Sequence, residues 1–583
     1  MSASNLEQGT TAAHYAILIG INRYPKDSLK GCVRDVHELK KRLESSSKAV
    51  DIRVFTASEG ETSSVLPVRA PNLLPTYGNI TTSFEQITSS AKSGDFVYIH
   101  YSGHGTTISQ INNLPNDSPH DLALVLIELN PTFQPRYFHG LDLASRIKRM
   151  VEKGVTVTLV LDCCFSGNAV RTDARARYLD YDPAVDAAYP WSPVTRPNAE
   201  NDPSASTYRA GSMRPNWLVN PNRYTILTAC GPTEIAKEIT LGKDGLSHGA
   251  LSYFLLRTFH KLGGVGGRQE HIYHHLRARF KGFEKSRMNI QNPVFYGNKN
   301  LCFFGSVDLE NRPAPVPIIR RANGTLELEA GEAHGISKGD GFILCPLDHA
   351  THDSVPDTDA IPATIKTVGA LVSQLETDMA DAQCLHIETG WIATQVTSLA
   401  LRKFPVRLQS DLAYPAERGS ALQDLNSLNL QSFDAELAQS PSFTIKSESD
   451  GTCSIYDEDS HDITQLHFKN SDLQGAKMHI LAVLEHMARF KLVRSLANKT
   501  LLDPGHPFTT AFDVCLTNQA GISRRPGCLQ EGWLHHGDWI EFAATNTAKG
   551  YDNLYLHIYN TDSCWAVENL LKANHVVLPS YRG

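Results

Sequence analysis

Several things are missing from this 583-residue chain, and each absence narrows what it can be. No run approaches the roughly 18 apolar residues that a helical membrane span needs, so none is expected. The opening stretch, MSASNLEQGTTAAH, has no basic head followed by an apolar core, so no secretory signal is expected. There is no basic block: 55 Lys and Arg stand against 62 Asp and Glu, a net charge of -7, which argues against a nucleic-acid partner. No Cys-x-x-Cys pair occurs, and the eleven cysteines are odd in number. A structural zinc site and a disulfide framework are therefore not expected, and reduced thiols point to the cytoplasm or the nucleus. In that setting the sequons at Asn79 and Asn116 carry no meaning. No internal repeat is found.

What remains is an ordinary globular composition, 41% hydrophobic and 20% charged, long enough for two to four domains. In the first half, apolar runs alternate with helical periodicity. HYAILIGINRY (14–24), DIRVFTA (51–57), DFVYIHYSGHG (95–105), VTVTLVLDCC (155–164) and RYTILTAC (223–230) read as strands. Between them, 33–46, 81–94, 140–154 and 248–264 read as helices. Alternation of this kind predicts an α/β fold with a doubly wound, mostly parallel sheet over 12–305, whose function gathers at the carboxyl ends of the strands. The segment 171–222, rich in Pro, Ser, Asn and Asp, reads as a flexible loop inside that domain. After the proline-rich ENRPAPVP (310–317), short strands predict a small β-rich module over 318–410. A helix at 475–498 followed by further strands predicts a β-sandwich-like module over 440–583.

Two of the strands end in residues able to do chemistry. His104 closes one and Cys164 another, and each is flanked by glycine, which lets backbone approach a ligand closely. A thiol and an imidazole at neighbouring strand ends are the two parts of a nucleophile–base pair. Cys163 adjoins Cys164, and strand alternation sends its side chain to the opposite face.

The motifs HYSGHG (100–105) and DCCFSG (162–167), with LKGCVRDV (29–36) and LTACGPTEIAKE…SHGALSYFLL (227–256) in that order, resemble the caspase-like cysteine peptidases, and among them the metacaspases. The Q-A-C-x-G signature of mammalian caspases is absent. By this resemblance Cys164 is the nucleophile, His104 the base, and the backbone N–H groups of Cys164 and Gly105 hold the oxyanion. Asp35 and Asp162, helped by Cys32 and Ser102, line the pocket for the residue before the cut. Paired carboxylates suit the forked guanidinium of Arg, or Lys as a point charge. The resemblance thus implies a cysteine endopeptidase acting on proteins or peptides after basic residues. The alternative is a catalytically silent scaffold acting through its C-terminal modules, which would bind a regulatory or substrate protein. A separase- or CHAT-type relative would share the dyad.

Caspase-like enzymes often cut their own linker. Arg175, Arg177 and Arg209 are the candidate sites in 171–222, since Arg196 and Arg214 precede proline. Metacaspases often use calcium, but only Asp117, Asp121 and Asp142 stand in the corresponding stretches. That is an incomplete set for an ion taking six to eight oxygens, so no metal ligand is assigned and no cofactor is certain. His271, His274 and His275 read as a solvated helix face, and GGVGGRQ (263–269), which follows a helix, as a loop.

Overall fold

A computed structural model describes residues 12–45, 49–58, 71–109, 120–129, 133–165, 175–190, 224–231, 234–240, 245–262, 264–283, 291–298 and 301–304, and shorter stretches between 316 and 578. The first half is organised by a six-stranded sheet of β1 (His14–Ile21), β2 (Val50–Ala57), β3 (Phe96–Ser102), β7 (Thr156–Asp162), β8 (Tyr224–Thr228) and β11 (Val294–Gly297). Its spatial order is β11-β8-β7-β3-β1-β2. Every neighbouring pair is parallel except β11 with β8. Order reverses beside β1, so chain crossings leave helices on both faces, as the apolar runs require of strands buried twice over.

Period-two alternation divides each strand between two cores. Ile17, Ile19, Ile99 and Leu159 face α2 (Tyr77–Ser90) and α3 (Gly140–Glu152). Leu18, Tyr98 and Val160 face α1 (Cys32–Glu44), α5 (Ala250–Lys261) and α6 (Gln269–Phe283). A second sheet, β4 (Gly105–Ser109), β5 (His120–Leu129) and β6 (Phe133–His139), leaves the carboxyl end of β3 as an antiparallel meander. Two short strands, β9 (Glu238–Thr240) and β10 (Ser247–Gly249), pair at the same end. Among the described residues, no helix is long and apolar enough to cross a membrane.

Two expectations are corrected here. Residues 175–190, read as part of a flexible loop, are folded onto the sheet end and include a short helix, α4 (Pro183–Ala188), capped by the Asp182 side chain. What composition did not show is that Arg177 is wholly buried and that Tyr178, Leu179, Tyr181 and Val185 pack on the two cores, so the segment gains its order from ion pairing together with a small apolar area. His271 and His275, read as solvated, are buried because α6 packs its Leu276 and Phe280 side against α5.

In the second half, β12 (Val316–Arg320), β13 (Leu326–Leu328), β14 (Gly341–Cys345), β15 (Ile361–Val368), β16 (Ser373–Glu376) and β17 (Ile392–Gln395) close a barrel around Ile318, Phe342 and Ile365. β18 (Val406–Leu408) does not belong to it. It pairs with β19 (Leu430–Ser432) and β20 (Phe443–Ser447) in a five-stranded sheet completed by β21 (Thr452–Asp457) and β22 (Asp462–His467), on which α7 (Leu473–Arg494) packs.

Candidate active site

The carboxyl ends of β3 and β7 lie side by side, with Ser102 opposite Asp162 in register. One step beyond each strand the chain leaves the sheet, so His104 and Cys164 emerge at the same end. His104 Nε2 lies 2.7 Å from the backbone carbonyl of Asp27. A carbonyl only accepts, so Nε2 carries the proton and Nδ1 is left as the basic atom. Asp27 is held with φ at 53°, in the left-handed region that non-glycine residues rarely adopt, and this turns its carbonyl toward the ring. Nδ1 is buried without a hydrogen-bond partner. Tyr24 lies against the ring, and its hydroxyl accepts from the His104 backbone N–H. Burial pushes the imidazole down to about 4, with the nearby Arg177 charge acting in the same direction.

Cys164 is buried in the core facing α1 and α5, its Sγ 3.9 Å from the Ala236 carbonyl, while Cys163 lies in the opposite core. The adjacent cysteines therefore occupy different faces of the sheet. Burial pushes the Cys164 thiol up to about 12. With the imidazole held low and the thiol high, this form keeps a neutral pair and not a thiolate–imidazolium.

Arg177 meets the backbone of both segments. Its carbonyl oxygen accepts from the N–H of Cys164 and the N–H of Gly105, each at 3.1 Å. A Cβ on Gly105 would overlap the Cys164 carbonyl, so this approach of β4 to the cysteine requires glycine. Residues 175–177 run antiparallel to 236–238: Arg177 N–H donates to the Ala236 carbonyl at 2.9 Å, and Glu238 N–H donates to the Arg175 carbonyl at 2.9 Å. The chain has added a strand to an open edge, the way many sites grip an extended peptide.

The guanidinium of Arg177 fills a wholly buried pocket of carboxylates. Nη2 pairs with Asp35 at 3.1 Å and Glu238 at 3.3 Å, and Nη1 pairs with Asp162 at 3.4 Å. Nη1 also donates to Ser102 Oγ at 2.7 Å and to the Asp162 carbonyl at 3.0 Å. Cys32 lies beside the pocket, and burial raises its thiol despite the Arg177 charge. Burial raises Asp162, with Arg177 opposing. At Asp35 burial works upward, but the His248 hydrogen bond, Arg177 and the Gly249 N–H outweigh it and hold its carboxyl below the usual range. Ser252 donates through both N–H and hydroxyl to Asp162 Oδ2. Gly249 forms a wall where a Cβ would overlap both Asp162 and the guanidinium. Three carboxylates thus surround one buried cation.

The residues expected from sequence as site candidates, Cys32, Asp35, Ser102, His104, Gly105, Asp162 and Cys164, all lie at this end of the sheet. The sequence reading missed Glu238, Ser252, His248 and Gly249. Glu238 and Gly249 stood in or beside recognisable motifs, but nothing in their spacing marked them as pocket residues. Of the three linker arginines, Arg177 is in the pocket, Arg175 is exposed beside it, and Arg209 lies outside the described residues. In the stretches expected for calcium, Asp142 accepts from the Tyr77 hydroxyl at 2.6 Å and from Arg146 Nε at 3.0 Å. Asp117 and the Asp121 side chain lie outside the described residues.

A thiol and an imidazole at adjacent strand ends, two N–H groups on one carbonyl and a cluster of carboxylates are thus gathered at one end of the sheet. Residues 14–173 match the family model of the metacaspase, peptidase C14 domain, and over this stretch the chain is metacaspase-like. It is 32% identical over 160 residues to Metacaspase-7 of Arabidopsis thaliana, covering 27% of this chain and 36% of that protein. Metacaspase III c of Phaeodactylum tricornutum is 30% identical over 162 residues, covering 27% and 44%. Metacaspase-2 of Trypanosoma brucei brucei is 30% identical over 154 residues, covering 26% and 41%. The chain therefore spans less than half the length of these relatives. A solved structure, protein GSU0716 from Geobacter sulfurreducens, overlaps 49% of this chain and 92% of its own at 18% identity, with a TM-score of 0.31. His104, Cys164, Asp35 and Asp162 lie inside the matched stretch; Arg177, Glu238 and Ser252 lie beyond it.

Proposed function

We propose that this protein is a cysteine endopeptidase that hydrolyses peptide bonds after Arg or Lys, and that the Arg177–Tyr178 bond of its own chain is its first substrate. The observation that carries this reading is the double grip on Arg177. Its carbonyl lies on the N–H groups of Cys164 and Gly105 while its guanidinium lies among Asp35, Asp162 and Glu238. A core arginine without a catalytic purpose needs the second arrangement but not the first.

The chemistry follows from the tautomer. As Cys164 Sγ attacks the Arg177 carbonyl carbon, its proton passes to His104 Nδ1. The carbonyl oxygen becomes an oxyanion on two donors already fixed in place, the kind of arrangement in which a single donor is worth about 3–4 kcal/mol. Collapse breaks the C–N bond, and His104 returns the proton to the Tyr178 amine. Water then attacks the thioester with the imidazole as base, freeing the Arg177 carboxylate and restoring the thiol. Nε2 stays bonded to Asp27 throughout, which fixes the ring as a third side chain does in other dyads.

The test is a pair of variants. Cys164→Ala should abolish hydrolysis of a fluorogenic Arg peptide and leave the chain uncut after Arg177 by mass spectrometry. Cys163→Ala should keep most of both. The reverse pattern would overturn the assignment.

A further inference from the structure

Beyond the cut bond the chain does not leave the protein. Tyr178 bridges Gly105, and Leu179 N–H donates to the Gly105 carbonyl at 3.0 Å, so the first residues run along β4. Further on, the segment is seized by β6. The ring of Tyr181 packs on Tyr137 with centroids 5.3 Å apart, and the Asp182 N–H donates to the Tyr137 hydroxyl at 2.8 Å. Asp186, on α4, accepts from the Tyr181 hydroxyl at 2.8 Å and pairs with Nε2 of buried His139 at 3.1 Å. The Tyr189 ring lies 4.9 Å from the Arg136 guanidinium. A six-residue helix does not stand alone in water, so α4 owes its form to its cap and to this surface.

The geometry points to a docking site for the leaving side of the substrate, formed by Tyr137, His139 and Arg136 and occupied here by the chain's own residues 178–189. We propose that the enzyme uses it to select polypeptides with an aromatic residue at the fourth position after the cut and a carboxylate at the ninth, on a short helical turn. The proposal rests on the reading of Arg177–Tyr178 as the scissile bond, because that bond sets the count. Two features separate such a site from a simple loop anchor. The receiving residues all precede the cut and the bound residues all follow it, so hydrolysis makes them different polypeptides. The grip also uses hydroxyl, imidazole and guanidinium groups, which recognise chemical types; between the anchors Val185 packs on the core, while Pro183, Ala184, Ala187 and Ala188 are exposed.

The test uses the full chain carrying Cys164→Ala, so that binding is read apart from catalysis. Its site is vacated in a second version by Tyr181→Ala and Asp186→Ala. A fluorescent peptide of residues 178–190 should bind the vacated chain at least tenfold more tightly than the unvacated one, by anisotropy. The same peptide carrying Tyr181→Ala and Asp186→Ala should lose that binding, a change that leaves the protein untouched. His139→Ala in the vacated chain should also lose it. Equal binding of the two peptides, or no binding to the vacated chain, overturns the proposal. Failure of the peptidase reading is seen separately, as absence of Arg-peptide hydrolysis by the chain with Cys164 intact.

Discussion

Replacing Arg177 by alanine probes both halves of the site at once. The guanidinium holds together Asp35, Asp162 and Glu238 in a pocket without solvent. Removing one partner of a buried ion pair costs about 3–5 kcal/mol, because the remaining charges are left uncompensated. Here that cost falls on the docked form of 175–177, since undocking lets water reach the carboxylates. The docked-to-undocked ratio should fall by roughly 10²- to 10⁴-fold. Two results follow. The Arg177→Ala chain is not cut between positions 177 and 178, and its vacated pocket takes a cation from solution. In the Cys164→Ala background, calorimetry should find benzamidine binding in the Arg177→Ala chain and little in its Arg177 parent. With Cys164 intact, the uncut Arg177→Ala chain should hydrolyse a small Arg substrate. Arg177→Lys should still be cut, more slowly, because one ammonium cannot reach all three carboxylates. Cleavage of the Arg177→Ala chain at that same bond at an undiminished rate, or benzamidine binding equal with and without Arg177, would refute the reasoning.

Other expectations follow from the same geometry. Glu238→Gln weakens one charged hydrogen bond to the substrate guanidinium, worth about 1.5–3 kcal/mol, so kcat/KM for Arg peptides should fall at least tenfold. An unchanged value would remove Glu238 from the pocket. Gly249→Ala should abolish Arg hydrolysis, because the added methyl overlaps both the guanidinium position and the buried Asp162 carboxylate. Retained activity would show that the pocket wall lies elsewhere. Burial holds His104 down to about 4 and His100 down to about 3 in the folded protein. In the unfolded chain both titrate near 6.5, so unfolding takes up protons below that pH. Their contribution to stability is present above about 6.5 and is lost as pH falls toward 4. Melting of the Cys164→Ala chain at pH 7.5 and pH 5 should show the drop, and His100→Gln should lessen it; an equal drop in that variant would exclude His100.

Strand and helix placement in the first half was legible because doubly buried strands are unbroken apolar runs, as in VTVTLVLD, and because the helices keep their period. His104 and Cys164 were legible as a candidate pair because their glycine-flanked motifs are local. The rest of the pocket was not, for a physical reason: Glu238 meets Asp35 and Asp162 only through the closing of a sheet whose strands are far apart in sequence. Glu238 also accepts from the Lys30 and Gly31 N–H groups, and no pattern in either segment announces that pairing. The loop misled for the opposite reason. Its composition reports a shortage of apolar area, which is true, but one arginine among three carboxylates anchors 175–177 without any. In the second half, β18 is three residues long, and such a strand takes its partners from tertiary packing rather than from its own sequence.

The sheet order has a consequence for the protein's history. β7 precedes Arg177 and β8 follows it, yet the two are hydrogen-bonded neighbours in the middle of the sheet. A cut after Arg177 leaves β1, β2, β3 and β7 on one polypeptide and β8 and β11 on the other, joined as a core divided in two. The native structure would survive such a cut, but the route to it would not. An intact chain that unfolds can return in a unimolecular reaction, while a cut one must find its other half at whatever concentration prevails. Hydrolysis of one bond would thus turn a protein that can be denatured and recovered into one whose stability is a matter of how slowly it first comes apart.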